Sequence, residues 1–198
     1  MKEKISLSVF LLIFSFSTCF SQFIKFDSIY FTETIGAGSH FGIDLEVSKS
    51  INSNLIVGAN YSFYLRKAQS IPNDFEEGIL NNLFFNLNQP IDRVVGIHLT
   101  LTKVNKINDN LFLNIKGLAG YSQVRLPEEW VFVGGPFIGD NYIYSYKTYH
   151  TTSFGFMSYL EFRPRKFLSI ILGSRFIYSP KQTIITGNAG LQLNIIRS

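Results

Sequence analysis

Phe41-Gly42-Ile43-Asp44-Leu45-Glu46-Val47 alternates apolar and polar side chains without a break, and the same two-residue beat returns along most of the chain. Leu55, Val57, Ala59, Tyr61, Phe63 and Leu65 interleave with Gly58, Asn60, Ser62, Tyr64 and Arg66. Val95, Ile97, Leu99 and Leu101 alternate with Gly96, His98, Thr100 and Thr102, as do Ala189, Leu191, Leu193 and Ile195 with Asn188, Gly190, Gln192 and Asn194. Successive side chains of a strand point to opposite faces, so each segment has one apolar and one polar face. A helix would scatter the same residues around its axis. The chain is therefore read as all-β. Repeated alternating segments of about ten residues suit strands that cross a bilayer in a closed barrel.

The beat resolves into eight strands, at 28–36, 40–49, 54–66, 94–104, 110–125, 151–163, 167–179 and 186–196. The first is the least regular, because Glu33 shares parity with Ile29, Phe31 and Ile35, which leaves its register open. Connections at 50–53, 105–109 and 164–166 are short and rich in Asn, Ser, Asp or Pro, as tight antiparallel links require. Those at 67–93 and 126–150 are long. Eight up-and-down antiparallel strands put both termini and the short turns at one end of a transmembrane barrel and the longer loops at the other. The connection lengths obey that parity. The short-turn end is expected in the periplasm and the long loops outside.

The N-terminus carries an export signal. Lys2 and Lys4 precede an apolar run from Ile5 to Phe16, and Cys19-Phe20-Ser21 precedes Gln22. That order predicts cleavage after Ser21, with residues 1–21 as signal peptide and 22–198 as barrel domain. The run is shorter than the roughly 20 apolar residues of a spanning helix. Cys19 is the sole cysteine. Without it the mature chain has no disulfide, cysteine-based zinc site or cysteine nucleophile. The formal net charge is +4 with no Lys/Arg run, which argues against a nucleic-acid partner. No phosphate-binding glycine loop, metal-binding histidine pair or dinucleotide fingerprint occurs, and no cofactor is expected.

Alternation does not say which face turns outward. A soluble lipocalin-like barrel hides apolar side chains inside, whereas a membrane barrel presents them to lipid. Charge favours the membrane: 16% of residues are charged, against 20 Phe and 10 Tyr. Aromatic residues at strand ends, among them Phe63, Tyr121, Phe154, Phe162, Phe167 and Tyr178, suit interfacial girdles. On these strands, Ser28 to Ile196 resembles the small outer-membrane β-barrel proteins of the OmpA-like or OmpX-like kind. The resemblance implies a monomer in a Gram-negative outer membrane, delivered by the barrel-assembly machinery and surrounded by outer-membrane lipids. Barrels of that kind usually end on an aromatic residue, whereas this chain ends Leu193-Asn194-Ile195-Ile196-Arg197-Ser198.

An eight-stranded barrel is only wide enough inside for side chains to fill it. Charges on the polar face must then pair, since a lone buried charge is very costly. Asp44, Glu46 and Glu161 against Arg66, Lys116, Arg163 and Arg175 form the expected lumen network. It reads as a structural plug in preference to a gated pore or ligand pocket. Asn73, with Glu76 three residues on and apolar Phe75, Ile79, Leu83 and Leu87 following, predicts an amphipathic helix over 73–88. That helix could cap the barrel or dock a partner. The connection 126–150 carries Trp130, Phe132, Phe137, Tyr142, Tyr144, Tyr146 and Tyr149. Its spacing suggests strands continuing beyond the bilayer as a hairpin, with Trp130, Phe132, Tyr142, Tyr144 and Tyr146 as a candidate surface for an extracellular protein or glycan.

The alternative to a structural or adhesive role is a lipid A-modifying hydrolase or acyltransferase. Its nearest constellation is His150 with Ser153 and Glu161, yet His150 has the opposite strand parity to the other two. Charge also differs between the ends. Lys49, Lys103, Lys106, Arg165, Lys166 and Arg197 fall at the short-turn end, with Asp109 the only acid in those turns. The long connections hold Asp74, Glu76, Glu77, Asp92, Glu128, Glu129 and Asp140. The basic rim is expected against anionic phospholipid headgroups on the periplasmic side.

Overall fold

The computed structural model describes residues 28–76, 90–134 and 140–196. The alternating segments form eight strands: β1 (Ser28–Gly38), β2 (Phe41–Asn52), β3 (Leu55–Lys67), β4 (Ile91–Lys106), β5 (Leu111–Phe132), β6 (Tyr142–Arg165), β7 (Leu168–Tyr178) and β8 (Thr183–Ile196). Each pairs antiparallel with its sequence neighbours, and β8 returns to β1 to close the ring. This is the eight-stranded up-and-down barrel expected from the beat. Closure leaves no unpaired sheet edge, the condition for placing strands in lipid. The signal segment 1–21 and the body of the helix expected over 73–88 lie outside the described residues.

Burial settles which face is which. Asn60, His98 and Gln192 are almost fully buried in the lumen, while Ile97 and Leu99, the neighbours of His98 on β4, are 63% and 74% exposed on the outer wall. The apolar face is therefore outside, the reverse of the lipocalin-like alternative. Phe162 and Phe167 lie on the outer wall near the short turns, and Tyr121, Phe154 and Tyr178 near the long-loop end. Phe154 packs on Tyr178 with ring centroids 5.2 Å apart.

The structure moves one strand start, continues two strands as the expected hairpin and fixes the one register left open. β4 starts at Ile91, so Asp92 and Arg93 belong to a strand and not to the long connection. β5 and β6 reach 22 and 24 residues because alternation continues through the aromatic-rich segment as a paired hairpin. A bulge between Glu128 and Val131 interrupts its ladder, and Glu129 within it takes φ 57. In β1 the register is set by pairing on both sides: Thr32 and Thr34 point inward, and Glu33 points outward between Leu45 and Leu191.

The short turns are held by their own polar side chains. Asn108 Oδ1 accepts the backbone N–H groups of Asn110 and Leu111, and Asn52 Oδ1 accepts that of Asn54. Inside, an apolar cluster of Tyr64, Val94, Leu118, Val124, Ile177 and Ile184 sits apart from a second of Tyr30, Ile56 and Val104. Tyr64 fits because its cross-strand partner is Gly42, where an added Cβ would lie 2.4 Å from the tyrosine ring. A bulky inner residue opposite a glycine is thus a single packing unit.

Candidate functional site: the lumen, its mouth and the long hairpin

Alternation around the ring aims polar side chains at one narrow interior, and the charges there are paired. Arg175 donates to Asp44, with both side chains almost completely buried. Tyr64 Oη donates to the other Asp44 oxygen at 2.5 Å, and Asn188 Nδ2 reaches the same atom at 3.4 Å. Lys116 Nζ donates to Glu46 Oε2 at 2.7 Å, while Thr100 Oγ1 donates to Oε1 at 3.3 Å. Lys116 also lies 5.1 Å from the Tyr159 ring centroid.

Glu161 is the most heavily bonded carboxylate of the lumen. It accepts from Arg163 Nε at 2.7 Å, Asn114 Nδ2 at 2.7 Å, Ser169 Oγ at 2.7 Å and Gln192 Nε2 at 3.0 Å. Arg163 in turn covers the Phe112 ring at 3.9 Å. The space remaining among Asp44, Glu46, Lys116 and Arg175 is about 10 Å³, room for one water molecule.

Arg66, the remaining member of the expected network, sits at the long-loop mouth. Its Nε donates to Asp92 Oδ2 at 2.8 Å, an acid that the sequence pattern puts in the outer connection. Gln182 Nε2 donates to the same oxygen at 2.7 Å, and Gln182 Oε1 lies 3.1 Å from His40 Nε2. His40 Nδ1 meets Ser39 Oγ at 2.9 Å. Burial holds the His40 pKa below its ordinary value, with Arg66 adding to the effect and the Gln182 bond opposing it. The chain of contacts links the β1–β2 turn to β3, β4 and the β7–β8 turn. A cavity of about 160 Å³ opens above it, lined by Arg66, Gln69, Asp92, Pro127 and Gln182.

Five aromatic residues of the long hairpin form one cluster. Trp130 lies 4.7 Å from Tyr144 and 6.4 Å from Tyr142, Phe132 lies 5.3 Å from Tyr142, and Tyr144 lies 5.5 Å from Tyr146. Phe75 of the β3–β4 connection packs edge-on to Trp130 at 5.7 Å. Tyr142 Oη donates to Asp74 at 2.9 Å, and Asn141 Oδ1 accepts the Glu76 N–H at 2.8 Å. The Asp74 bond raises the Tyr142 pKa, and burial beside Tyr146 pushes that of Tyr144 up to about 12. Phe137 lies outside the described residues.

The residues of the enzymatic alternative do not meet. His150 is on the outer wall, stacked on and hydrogen-bonded to Tyr121. Ser153 points into the lumen, 2.8 Å from His98 Nε2 and 2.7 Å from Ser122 Oγ. Glu161 is committed to Arg163 and its amide and hydroxyl donors. Sequence reasoning misses His40, Tyr64, Asp92 and Gln182 as members of the interior network. Inner parity is the available signal for Tyr64 and also for His40, which the strand expected at 40–49 puts in step with Asp44 and Glu46, whereas Gln182 lies in a turn where parity says nothing.

No family model matches the chain and no curated relative matches it. Solved structures do. A major outer membrane protein from Thermus thermophilus superposes with a TM-score of 0.58 at 9% identity, covering 85% of this chain and 99% of that one. The N-terminal β-barrel domain of Pseudomonas aeruginosa OprF gives 0.52 at 7% identity over 86% and 98%. Neisserial surface protein A gives 0.50 at 10% identity over 86% and 95%. At such identities the likeness is one of fold, and the fold is that of the small outer-membrane β-barrels.

Proposed function

We propose that this chain is an outer-membrane barrel whose lumen is closed by its own ion pairs and whose contacts with other molecules run through the β5–β6 hairpin. The observation that carries this reading is the inversion of the wall. Outward side chains such as Phe41, Ile97, Leu99, Leu172 and Ile195 are more than half exposed, and the charged side chains Asp44, Glu46, Lys116, Glu161 and Arg175 are buried inside. Water outside would make that arrangement unfavourable, whereas hydrocarbon makes it favourable.

Residence in the outer membrane is supported by closed strands with an apolar exterior and by the export signal expected over residues 1–21. A closed lumen is supported by the paired charges and by the small space left between them, which is too small for a hydrated ion. A binding role is supported by the hairpin: Trp130, Phe132, Tyr142 and Tyr144 form a connected aromatic surface braced by Phe75 and Asp74. Such surfaces suit extracellular proteins or glycans. The constellation expected for the enzymatic alternative is not assembled, since His150 lies on the outer wall and Ser153 in the lumen.

Cell fractionation with heat-modifiable gel mobility tests membrane and barrel together; recovery of the mature chain as a soluble periplasmic protein overturns the reading. In planar bilayers the inserted chain shows no steady conductance, and an open channel overturns the closed lumen. Cells displaying the chain bind at least one member of a panel of immobilised glycans and matrix proteins, and Trp130→Ala with Tyr144→Ala removes that binding. Equal binding by wild type and variant overturns the hairpin as the contact surface.

A further inference from the structure

Arg93 on β4 and Arg125 on β5 are directly opposite each other on the outer wall at the long-loop end. Lys67 on β3 joins them, since its register partner Ile91 is two residues from Arg93 on the same face. Like charges directly opposite across a ladder destabilise it. None of the ion pairs among the described residues includes Lys67, Arg93 or Arg125. Asp92, next in sequence to Arg93, points inward and is bound to Arg66.

The cluster is organised as well as charged. The Arg125 guanidinium lies 4.2 Å over the Tyr146 ring, and Tyr146 Oη accepts the backbone N–H of Ile91 at 3.4 Å. That ties β6 to β4 across β5 and holds Arg125 in place. Arg93 Nε is buried and has no hydrogen-bond partner among the described residues, a donor whose desolvation they do not repay. Toward the barrel waist the same face continues as Val95, Ile97 and Tyr121. The cations therefore stand on the edge of the apolar wall, beside an aromatic residue of the kind found at headgroup level.

We infer that Lys67, Arg93 and Arg125 form a site for the phosphate of a lipid headgroup in the leaflet that meets the long-loop end. Guanidinium groups match phosphate oxygens with paired hydrogen bonds, and an anion between Arg93 and Arg125 removes their mutual repulsion. The site's position on the wall commits it to a lipid, because a free anion has no use for the apolar surface below. The inference rests on the membrane residence proposed above.

Native mass spectrometry of the detergent-solubilised mature chain tests it, with dioctanoyl phosphatidic acid as the probe and phosphatidylcholine as its neutral counterpart. The wild type holds phosphatidic acid about tenfold or more tightly than an Arg93→Gln, Arg125→Gln variant, the scale of losing a charge-assisted hydrogen bond. A Lys147→Gln, Lys181→Gln variant, which removes two cations held over the Tyr149 ring outside the cluster, retains wild-type binding. Heat-modifiable mobility certifies that each variant is a folded barrel, and Arg93→Lys serves as a conservative second variant with intermediate binding. Equal binding by wild type and the double-arginine variant overturns the site, as does an equal loss in the double-lysine variant. Displacement of the lipid by millimolar inorganic phosphate overturns the assignment to a headgroup. A folded, membrane-inserted wild type that binds no phosphatidic acid sinks the site and leaves the barrel standing; a chain that never enters membranes sinks the residence on which it rests.

Discussion

Arg175 on β7 donates to Asp44 on β2, joining two strands that share no ladder and lie 131 residues apart in sequence. Both side chains are buried, and Tyr64, Asn188 and Thr34 also donate to the carboxylate. The pair crosses the lumen and ties opposite walls together.

Removing one partner leaves the other charge buried and unpaired. Arg175→Ala lowers stability by about 3–5 kcal/mol, and Arg175→Met combined with Asp44→Leu costs much less than the two single losses summed. Urea unfolding in lipid vesicles measures both. Additive losses would mean that the two groups act independently.

The outer wall responds in opposite directions at two positions. Leu99, 74% exposed on β4, loses about 2–4 kcal/mol of stability on change to Arg. Glu33 is the one acid facing outward between apolar partners on β1, and Glu33→Leu raises stability by about 1–2 kcal/mol. Unfolding from vesicles distinguishes the two signs. A tolerated arginine at 99 would argue that this wall meets water.

His40 makes the mouth sensitive to acid. Its pKa is lowered in the folded barrel, so between the unfolded value near 6.5 and the lower folded value the unfolded chain binds more protons. Stability is complete above that window and falls as pH drops through it, as the Nδ1 acceptor for Ser39 is lost. His40→Gln makes the decline below about pH 6.5 shallower, with His98 and His150 common to both proteins. Parallel pH profiles for wild type and variant would remove His40 from the account.

At the hairpin, the hydrogen bond to Asp74 is the main cause of the raised Tyr142 pKa. Asp74→Ala moves that phenol back toward its ordinary value and loosens the β3–β4 connection from β6. Ultraviolet titration of the phenolate, compared with a Tyr142→Phe reference, reports the shift. No change would mean that the connection does not hold Tyr142 in solution.

Strand count, connection parity and the polar face of β2, β3, β4 and β8 are legible because a strand's side-chain period of two maps sequence directly onto barrel wall. The same rule names Asp44, Glu46, Lys116, Glu161, Arg163 and Arg175 as interior. It fails at strand ends. Asp92 and Arg93 look like loop residues because nothing local marks where a ladder stops, and the long-loop rim therefore reads as acidic. Its outward cations become visible only when β4 extends to Ile91 and Arg93 comes opposite Arg125.

Local chemistry by itself determined that the chain forms alternating strands, that eight of them fit, and that one face is apolar. Which charges pair was decided by tertiary structure. Arg175 meets Asp44 while Lys116 takes Glu46 because the ring closes β8 on β1 in one register, bringing β7 across from β2 and β5 across from β2 one layer away. Register also turned Glu33 outward against its neighbours' apolar character. Alternation specifies which face a side chain takes, but the partner across the lumen depends on stagger accumulated around the whole ring, and no single segment carries that information.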